Sequence, residues 1–571
     1  MAHAAWAEAH PTRWLLALLL VALVACGGSG SATSDPPAPG SATGSLSLGL
    51  VGTSVEGVSH VWVTVDALAL HTDPHRAWSP TDTSWQVIRL ASPRTIDLAA
   101  TTNGVIAPLV TGHTLTAASY GQMRLFALRH DEPLVDAARQ LGLTRNAQVE
   151  QVDVDGIAHT VPLELTDAGL GLRVAGPIDI AAGVSNDITL QWDLAHSLVR
   201  FASDDGLDRL SLRPDLRAYD LAKTGAIVGL LDKSLFCTTA PQTGCIRDAV
   251  ASALLPSADG RFKRSVRSTP VVLGSEHALF ALYPLPALAA GETFDVVIRG
   301  RDMQTMVVRG VPASAADLLA ARPTQLGTNP ADPSHPVPLV PALSLPGDGH
   351  VTLDASTTPP SAQLLFGQTL PGSGELPLEL AAANTDPFTG RLARPVALPG
   401  GPLRVASYTA DAVLAFADVA PQEGAEHFSV MPLGTRYDDT VSLGSVAVPG
   451  GSTVAMTAPV TWRKPSLGVA SVEVHLSGGA GFDAAQLVVS DVGGIVATVD
   501  VSGLLNAQAA VQLPAGANAA ALGGTAVYSI AVRAWKRSAP LTSVTWARAA
   551  SVVDLRGGAP ASVSISVPAA P

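Results

Sequence analysis

Residue types that carry metal chemistry come together at one place in this 571-residue chain. His71, Asp73 and His75 stand close in the segment LHTDPHRAW, and two imidazoles with a carboxylate are ligands that zinc or copper accepts. Pro74 follows a predicted strand at this point, and a polar turn explains the same residues without a metal. We therefore expect neither a metal nor another cofactor, and keep the three residues as weak metal candidates.

Nucleophilic catalysis has no recognisable motif in the sequence. The patterns G-x-S-x-G, S-x-x-K and H-E-x-x-H, which place a nucleophile or a zinc-bound water beside its base, are all absent. A catalytic triad is assembled in space and can lack a local motif, so a hydrolase stays an open alternative. The sequence predicts a protein that is not an enzyme, and we assign no catalytic residue.

Ligand binding through aromatic rings is the other chemistry that the sequence allows. Saccharide sites usually present exposed rings as a platform, but aromatic residues make up only 5% of this chain, so most are expected in cores. Trp78 and Trp85 flank a polar loop and are the best candidates for exposed rings. We predict them as a weak ligand-binding pair.

Two of the three cysteines lie close together, as Cys237 and Cys245 in CTTAPQTGC. The enclosed Thr, Pro and Gly residues can fold back as a turn, and in an exported protein such a pair usually forms a disulfide. A metal site would need further Cys or His ligands nearby, which the segment lacks. We predict a disulfide, with a metal pair or two free thiols as the alternatives.

The third cysteine, Cys26, ends an apolar run. Arg13 precedes WLLALLLVALV, which is shorter than the ~20 residues that span a bilayer and is typical of a secretory signal peptide. The ending Leu-Val-Ala-Cys resembles the lipobox of bacterial lipoproteins, whose cysteine is acylated and becomes the new N-terminus. This resemblance implies export and a lipid anchor at Cys26, and Gly27 in place of aspartate favours the outer membrane. The alternative is an ordinary signal peptide with a chance cysteine.

The elements that must position these residues are mostly β-strands. The segment HVWVTVDALAL puts Val61, Val63 and Val65 on one face and Asp66 on the other, and SVEVHL and ASVSISV alternate in the same way. With 52 Gly and 43 Pro, the composition suits short strands joined by tight turns. Helical patterns are few, DAVASALL being one. The predicted class is all-β, as tandem antiparallel β-sandwich domains with a few short helices.

Charge limits the partners. The net charge is −13 and no basic cluster occurs, which argues against a nucleic-acid partner. The expected partners are the membrane, through the N-terminal lipid, and an unknown extracellular or envelope ligand.

Changes in composition divide the chain into predicted segments. They are residues 1–25 as a lipoprotein signal peptide, 26–44 as a flexible Gly/Ser/Pro tether, 45–222 as a first domain, 225–321 as a second, 322–341 as a Pro-rich linker and 342–571 as one or two further β-sandwich domains.

Residues 45–222 resemble the bacterial family catalogued as domain of unknown function 4382. The matching features, in the family's order, include GSLSLGL, VSHVWVTVDALALH, TIDLAATTNG, LTAASYGQMRL, VPLELTDAGLGLRV and NDITLQWDLAHSLV. Two features depart from it: LVGTSVEG replaces the family's aspartate-rich first turn, and Ser119 replaces the glycine before its tyrosine. The family has no established activity, so the resemblance implies an exported β domain, often on lipoproteins.

Residues 225–321 resemble the carboxypeptidase regulatory-like, or transthyretin-like, β-sandwich. The resemblance rests on GAIVGLL and LPALAAGETFDVVIRGRDMQTMVVRGV, with Phe294 in the usual place of a tyrosine. Such modules are stalks and spacers. Together these features predict a non-catalytic display, adhesion or ligand-binding protein. The alternatives are a binding subunit for glycans or another envelope component, and an extracellular hydrolase.

Overall fold

The structure is a computed structural model that describes residues 42–570 with gaps. The gaps are residues 54, 56, 153–156, 166–167, 202–208, 214, 239–243, 258–259, 314, 316–321, 328–335, 355–356, 359–361, 411, 434–443, 458–459, 462–467, 492–493, 518–525 and 539–543. Cys26 and the predicted signal peptide lie outside the described residues. Within them, no helix is both long and apolar enough to cross a bilayer.

The first region, residues 43–220, forms one twelve-stranded sheet. Its strands are β1 (Thr43–Gly52), β2 (Val58–His71), β3 (Gln86–Asp97), β4 (Ala107–Thr116), β5 (Ala118–Leu128), β6 (Gln148–Val152), β7 (Ala158–Leu165), β8 (Leu172–Ile180), β9 (Ser185–Trp192), β10 (Leu198–Phe201), β11 (Arg209–Leu212) and β12 (Leu216–Asp220). Their order in the sheet is β10-β11-β7-β6-β2-β5-β8-β12-β9-β1-β4, and β3 pairs with β2. Two short helices, α1 (Asp136–Gln140) and α2 (Leu194–Ser197), lie between strands.

The central region, residues 225–461, contains one ten-stranded sheet and several smaller ones. Its strands are β13 (Gly225–Leu231), β14 (Arg247–Pro256), β15 (Lys263–Pro270), β16 (Val272–Leu273), β17 (Ala278–Leu285), β18 (Phe294–Arg301), β19 (Met306–Val311), β20 (Thr324–Leu326), β21 (Gly349–Leu353), β22 (Thr357–Thr358), β23 (Gln363–Gln368), β24 (Leu378–Asn384), β25 (Val396–Leu398), β26 (Leu403–Ser407), β27 (Ala417–Val419), β28 (His427–Leu433), β29 (Ser445–Ala447), β30 (Thr453–Met456) and β31 (Val460–Thr461).

The C-terminal region, residues 468–567, has its own hydrophobic core between a three-stranded and a five-stranded sheet. Its strands are β32 (Gly468–Gly478), β33 (Ala484–Asp491), β34 (Gly494–Asp500), β35 (Gln508–Ala515), β36 (Val527–Trp535), β37 (Thr545–Arg548), β38 (Val553–Asp554) and β39 (Ala561–Val567).

The all-β prediction is confirmed, because the described residues form 39 strands and only two short α-helices. Where two strands that are consecutive in sequence pair with each other, they pair antiparallel, as predicted. Several pairs between distant strands are parallel, however, such as β1 with β9 and β32 with β39. A parallel pair needs a long crossover connection, and here the intervening strands supply it. The sheets that contain such pairs are therefore mixed, whereas the five-stranded sheet of the C-terminal region is antiparallel.

The helix predicted for DAVASALL is wrong. These residues belong to β14, where Ala249, Ala251 and Ala253 are buried on one face. Alanine favours helices in isolation, but the pairing of β14 with β15 and β18 on its two sides decides the structure here.

The predicted Pro-rich linker, residues 322–341, does not separate the sheets on its two sides. Within it, β20 pairs parallel with β13, and β15 and β24, from either side of it, pair within the ten-stranded sheet. Residues 324–326 of the predicted linker therefore belong to a sheet. The predicted disulfide is present: the Cα atoms of Cys237 and Cys245 lie 5.2 Å apart and the bond closes a loop beside β14.

The first region meets the central region at a buried ionic cluster, called here the central junction: Asp193, His196, Gln363, Glu379 and Asn384. His196 Nδ1 lies 2.7 Å from Asp193 Oδ2, and its Nε2 lies 2.7 Å from Glu379 Oε1. Burial opposes charge on the imidazole, but the two carboxylates outweigh it and raise the pKa of His196 to about 10. His196 is therefore an imidazolium that donates to both carboxylates.

The first region also meets the C-terminal region, at what is called here the C-terminal junction. Its apolar part buries Val199 and Phe201 against Val488 and Ile495, with Phe388 of the central region packed on Phe201 at a centroid distance of 5.3 Å. Its polar part is a cleft lined by Glu164, and Arg533, which does not line the cleft, has its Nε 3.9 Å from Glu164 Oε1.

Candidate ligand-binding pocket beside Trp78

The polar loop between β2 and β3, residues 72–85, folds back against β5. Gly121 makes this possible, since a Cβ there would lie 2.6 Å from the carbonyl oxygen of Thr72. The Gln122 side chain donates to the carbonyl oxygens of Asp73, at 2.8 Å, and Arg76, at 2.9 Å. These bonds fix the loop before any ligand arrives.

The three weak metal candidates serve this loop as hydrogen-bonding groups. His71 Nδ1 accepts from the backbone N–H of Asp73 at 2.9 Å, and its Nε2 lies 3.0 Å from Ser84 Oγ. Asp73 Oδ1 accepts from the backbone N–H of His75 at 2.8 Å. Among the described residues, no group of three His, Cys, Asp or Glu side chains is arranged to hold a metal ion.

The two candidate tryptophans have different environments. Trp85 is only 4% exposed, so the prediction of an exposed ring is wrong for it: the loop closes over the ring, which packs against His71 at a centroid distance of 4.9 Å. Trp78 is half-buried and makes an edge contact with Trp85 at 5.2 Å and a tilted contact with Phe126 at 4.7 Å. Trp85 thus supports Trp78 from behind.

Trp78 lines a cavity of about 160 Å³. The other wall residues that matter chemically are Asp66, Arg89, Phe126 and Glu132. Rings and charged groups therefore converge on one space, which is small compared with the roughly 300–1,000 Å³ of drug-sized sites. The cavity suits one small ring or a short polar ligand.

Asp66 reaches the cavity because of a β-bulge. Val65 pairs with Ala127 of β5 and Ala67 with Phe126, so Asp66 is the extra residue of β2. Bulges redirect a side chain and are common beside functional sites. The bulge turns an acidic group in an otherwise apolar strand toward the space that Trp78 borders.

The carboxyl groups of the cavity differ in environment. Burial raises the pKa of Asp66, and the neighbouring Glu132 raises it further, while Arg89 acts in the opposite direction. Glu132 is held in place by Arg129: its Oε1 lies 3.0 Å from Arg129 Nη1, and its Oε2 accepts from the Arg129 backbone N–H at 3.2 Å. Burial thus makes the Asp66 carboxyl group harder to ionise than a carboxyl group in water.

The sequence prediction found only part of this site. Trp78 was identified from its place beside a polar loop, and its partner in the cavity is Phe126 rather than Trp85. Asp66 had a signal that could have been used, namely an acidic residue inside the apolar run VTVDALAL. Arg89, Phe126 and Glu132 had none, because only strand pairing brings β3 and β5 beside β2.

The chain was compared with known proteins. No curated protein matches it. Similar solved structures include the Bacillus anthracis TIE protein, with 8% identity over 95% of this chain and 75% of that one, and a TM-score of 0.15. A streptococcal ancillary pilin has 13% identity over 60% of this chain and 98% of that one, with a TM-score of 0.14. The Corynebacterium diphtheriae major pilin SpaA has 9% identity over 74% and 100%, also with a TM-score of 0.14.

The family comparison is more specific, and it agrees with the resemblance drawn from the sequence motifs. Residues 43–214, which include the Trp78 cavity, match the family described as domain of unknown function DUF4382.

Proposed function

We propose that this protein is a non-catalytic surface protein that binds a hydroxyl-rich ligand, such as a sugar of a glycan, in the Trp78 cavity. The observation that carries the proposal is the meeting of two rings, Trp78 and Phe126, with Asp66, Arg89 and Glu132 around one cavity. Aromatic faces pack on the apolar face of a sugar ring, while carboxylates and guanidinium groups bond its hydroxyls.

The support for binding rather than hydrolysis comes from Glu132. Two carboxyl groups, one with a raised pKa, are also what a glycoside hydrolase uses. Here both oxygens of Glu132 are bound by Arg129, which favours a fixed hydrogen-bond acceptor over a group free to attack a substrate or activate a water. An extracellular hydrolase is therefore the less favoured alternative.

The test is a glycan array probed with the protein and with a Trp78→Ala variant. We expect a defined set of glycans to be bound, and the variant to lose about tenfold in affinity because it lacks the stacking surface. Trp62→Ala is the matched control, since Trp62 does not line the cavity. Its ring stacks on His60 with 4.6 Å between the ring centroids. Equal loss in both variants, or binding that ignores Trp78, would reject the site. Release of free sugar from a bound glycan would instead indicate a hydrolase.

The setting of this activity is proposed from the N-terminal sequence. Lipidation of Cys26 and a tether over residues 26–44 would hold the first region at the cell envelope, with the outer membrane as its place. Metabolic labelling with palmitate should mark the wild type and not Cys26→Ser. If neither protein is labelled and both are equally soluble, the anchor is excluded.

A further inference from the structure

A second cleft lies at the C-terminal junction. It is bordered by the β5–α1 loop of the first region and by β36 and β37 of the C-terminal region, and its walls include His130, Glu164 and Trp546. The cavity volume is about 20 Å³, which is the room that one water-sized group needs. The cleft is separate from the Trp78 cavity, although neighbouring residues of the same loop line both.

Several buried polar atoms in or beside this cleft lack a hydrogen-bond partner among the described residues. Glu164 is 7% exposed and Arg533 is 4% exposed, and neither makes a hydrogen bond to the other: Arg533 Nε lies 3.9 Å from Glu164 Oε1. Among the described residues, the buried atoms with no protein partner include Glu164 Oε2, His130 Nδ1, Trp546 Nε1 and Arg533 Nε. Such groups are costly to bury unless something in the cleft bonds them.

The charges around the cleft favour a neutral ligand. Arg129 and Arg548 are both bound to Asp131, at 3.0 and 3.3 Å. That leaves Arg533 and Glu164, whose opposite charges face each other. An anion would be repelled by Glu164, and a cation by Arg533.

The donor or acceptor character of the unpartnered atoms further limits which chemical group can bind in the cleft. Trp546 Nε1 can only donate, whereas Glu164 Oε2 accepts. Burial lowers the pKa of His130, which keeps its imidazole neutral and able to accept through one nitrogen. A hydroxyl group can accept from Trp546 Nε1 and donate to Glu164 or His130, so it can bond both kinds of atom.

We propose that this cleft is a second binding site, which takes a hydroxyl group of a neutral sugar or polyol between Glu164, His130 and Trp546. Because its walls come from both regions, a ligand bound here bridges the first and C-terminal regions. Water has the same donor and acceptor pattern, so the experiment must separate the two sources.

The test uses the protein with 5-fluorotryptophan at its tryptophan positions, followed by fluorine NMR. Trp546→Phe identifies the signal of Trp546, and Trp62→Phe is the matched control. Glycerol and methyl α-glucoside should move the Trp546 signal in a saturable way. Glu164→Gln should weaken that response by about tenfold, because a charged acceptor is lost, and Trp78→Ala should leave it unchanged.

Three outcomes would overturn the proposal. No shift of the Trp546 signal with either probe means that the cleft holds water only. A larger shift with sodium acetate means an anion site. A response that Trp78→Ala abolishes means that the probe acts through the Trp78 cavity, so failure of one site is distinguishable from failure of the other. A crystal structure of the glycerol-soaked protein gives a second readout if Glu164→Gln does not fold.

Discussion

The first region is held by two junctions that treat buried charge in opposite ways. At the central junction, His196 lies 2.7 Å from each of two carboxylate oxygens, and the side chains of Gln363 and Asn384 donate to its carbonyl oxygen at 2.7 and 2.9 Å. At the C-terminal junction, Arg533 and Glu164 face each other at 3.9 Å without a hydrogen bond. Similar groups are buried in both places, but only the first set is fully bonded.

The difference teaches how buried charge is divided between stability and binding. A buried ion that is bonded on every side fixes the position of two regions and leaves nothing for a ligand. A buried ion that is short of partners contributes little to the junction and keeps its bonding capacity for something else. The central junction thus stabilises the contact between two regions, whereas the C-terminal junction has the properties of a ligand-binding site.

The largest effect is expected from His196→Ala. Removing the imidazolium leaves Asp193 and Glu379 buried without their counter-ion, which should lower the free energy of unfolding by about 3–5 kcal/mol. The shift of the urea midpoint measures it. His75→Ala, at an exposed histidine, is the matched control and should change little. A loss below about 1 kcal/mol for His196→Ala would mean that the ionic cluster of the central junction does little to stabilise the fold.

The two junctions should also respond to pH in opposite directions. Folding raises the pKa of His196 from 6.5 to about 10, so its contribution is complete below pH 6.5 and is lost as the pH rises toward 10. Stability should fall by up to about 1.4 kcal/mol per unit between pH 7 and 9. The lowered pKa of His130 has the other sign, because protonation favours the unfolded chain, so its cost appears as the pH falls below 6.5.

Urea unfolding at several pH values checks this contrast. His196→Asn should flatten the alkaline side of the stability profile, and His130→Asn the side below pH 6.5. If His130→Asn flattens the alkaline side, or leaves the side below pH 6.5 unchanged, the contrast between the junctions fails.

A smaller effect is expected from Asn384→Ala. The Asn384 amide donates to the carbonyl oxygens of His196, at 2.9 Å, and Leu198, at 3.1 Å. Its removal leaves Leu198 without this buried donor, at a cost of about 1–3 kcal/mol, while Gln363 still bonds His196. Hydrogen exchange of residues 194–201 should report it, because this segment contains α2 and β10. Unchanged exchange would show that Gln363 alone holds the junction.

The sequence predicted the strands better than their partners. Alternation identified the buried face of β2, where Val61, Val63 and Val65 are fully buried. The same period of two is present in Ala249, Ala251 and Ala253 of β14, but the high helix propensity of alanine obscured it. The parallel pairs were not predictable, because they depend on which distant strands meet rather than on the pattern within either one.

The sites were predictable only where their residues are close in sequence. The disulfide joins cysteines eight positions apart, and Trp78 stands beside the loop that displays it. By contrast, His196 and Glu379 are 183 positions apart, and the segment DLAHSLV contains only the nearer partner of His196, Asp193. The same holds for Glu164 and Arg533, whose meeting depends on how two regions pack.

The smallest effect is expected where buried charge is least bonded. Replacing both ions at the C-terminal junction, as Glu164→Gln with Arg533→Met, removes no hydrogen bond between them and spares the chain the burial of two charges. Arg533 also lies over the rings of Phe388 and Trp535, at 5.4 and 5.1 Å, so the methionine keeps apolar contact while the cation–π attraction is lost. The two terms oppose each other, and the urea midpoint should move by no more than about 1 kcal/mol in free energy. A loss as large as that of His196→Ala would show that Arg533 and Glu164 stabilise the contact between their regions and have no bonding capacity left for a ligand.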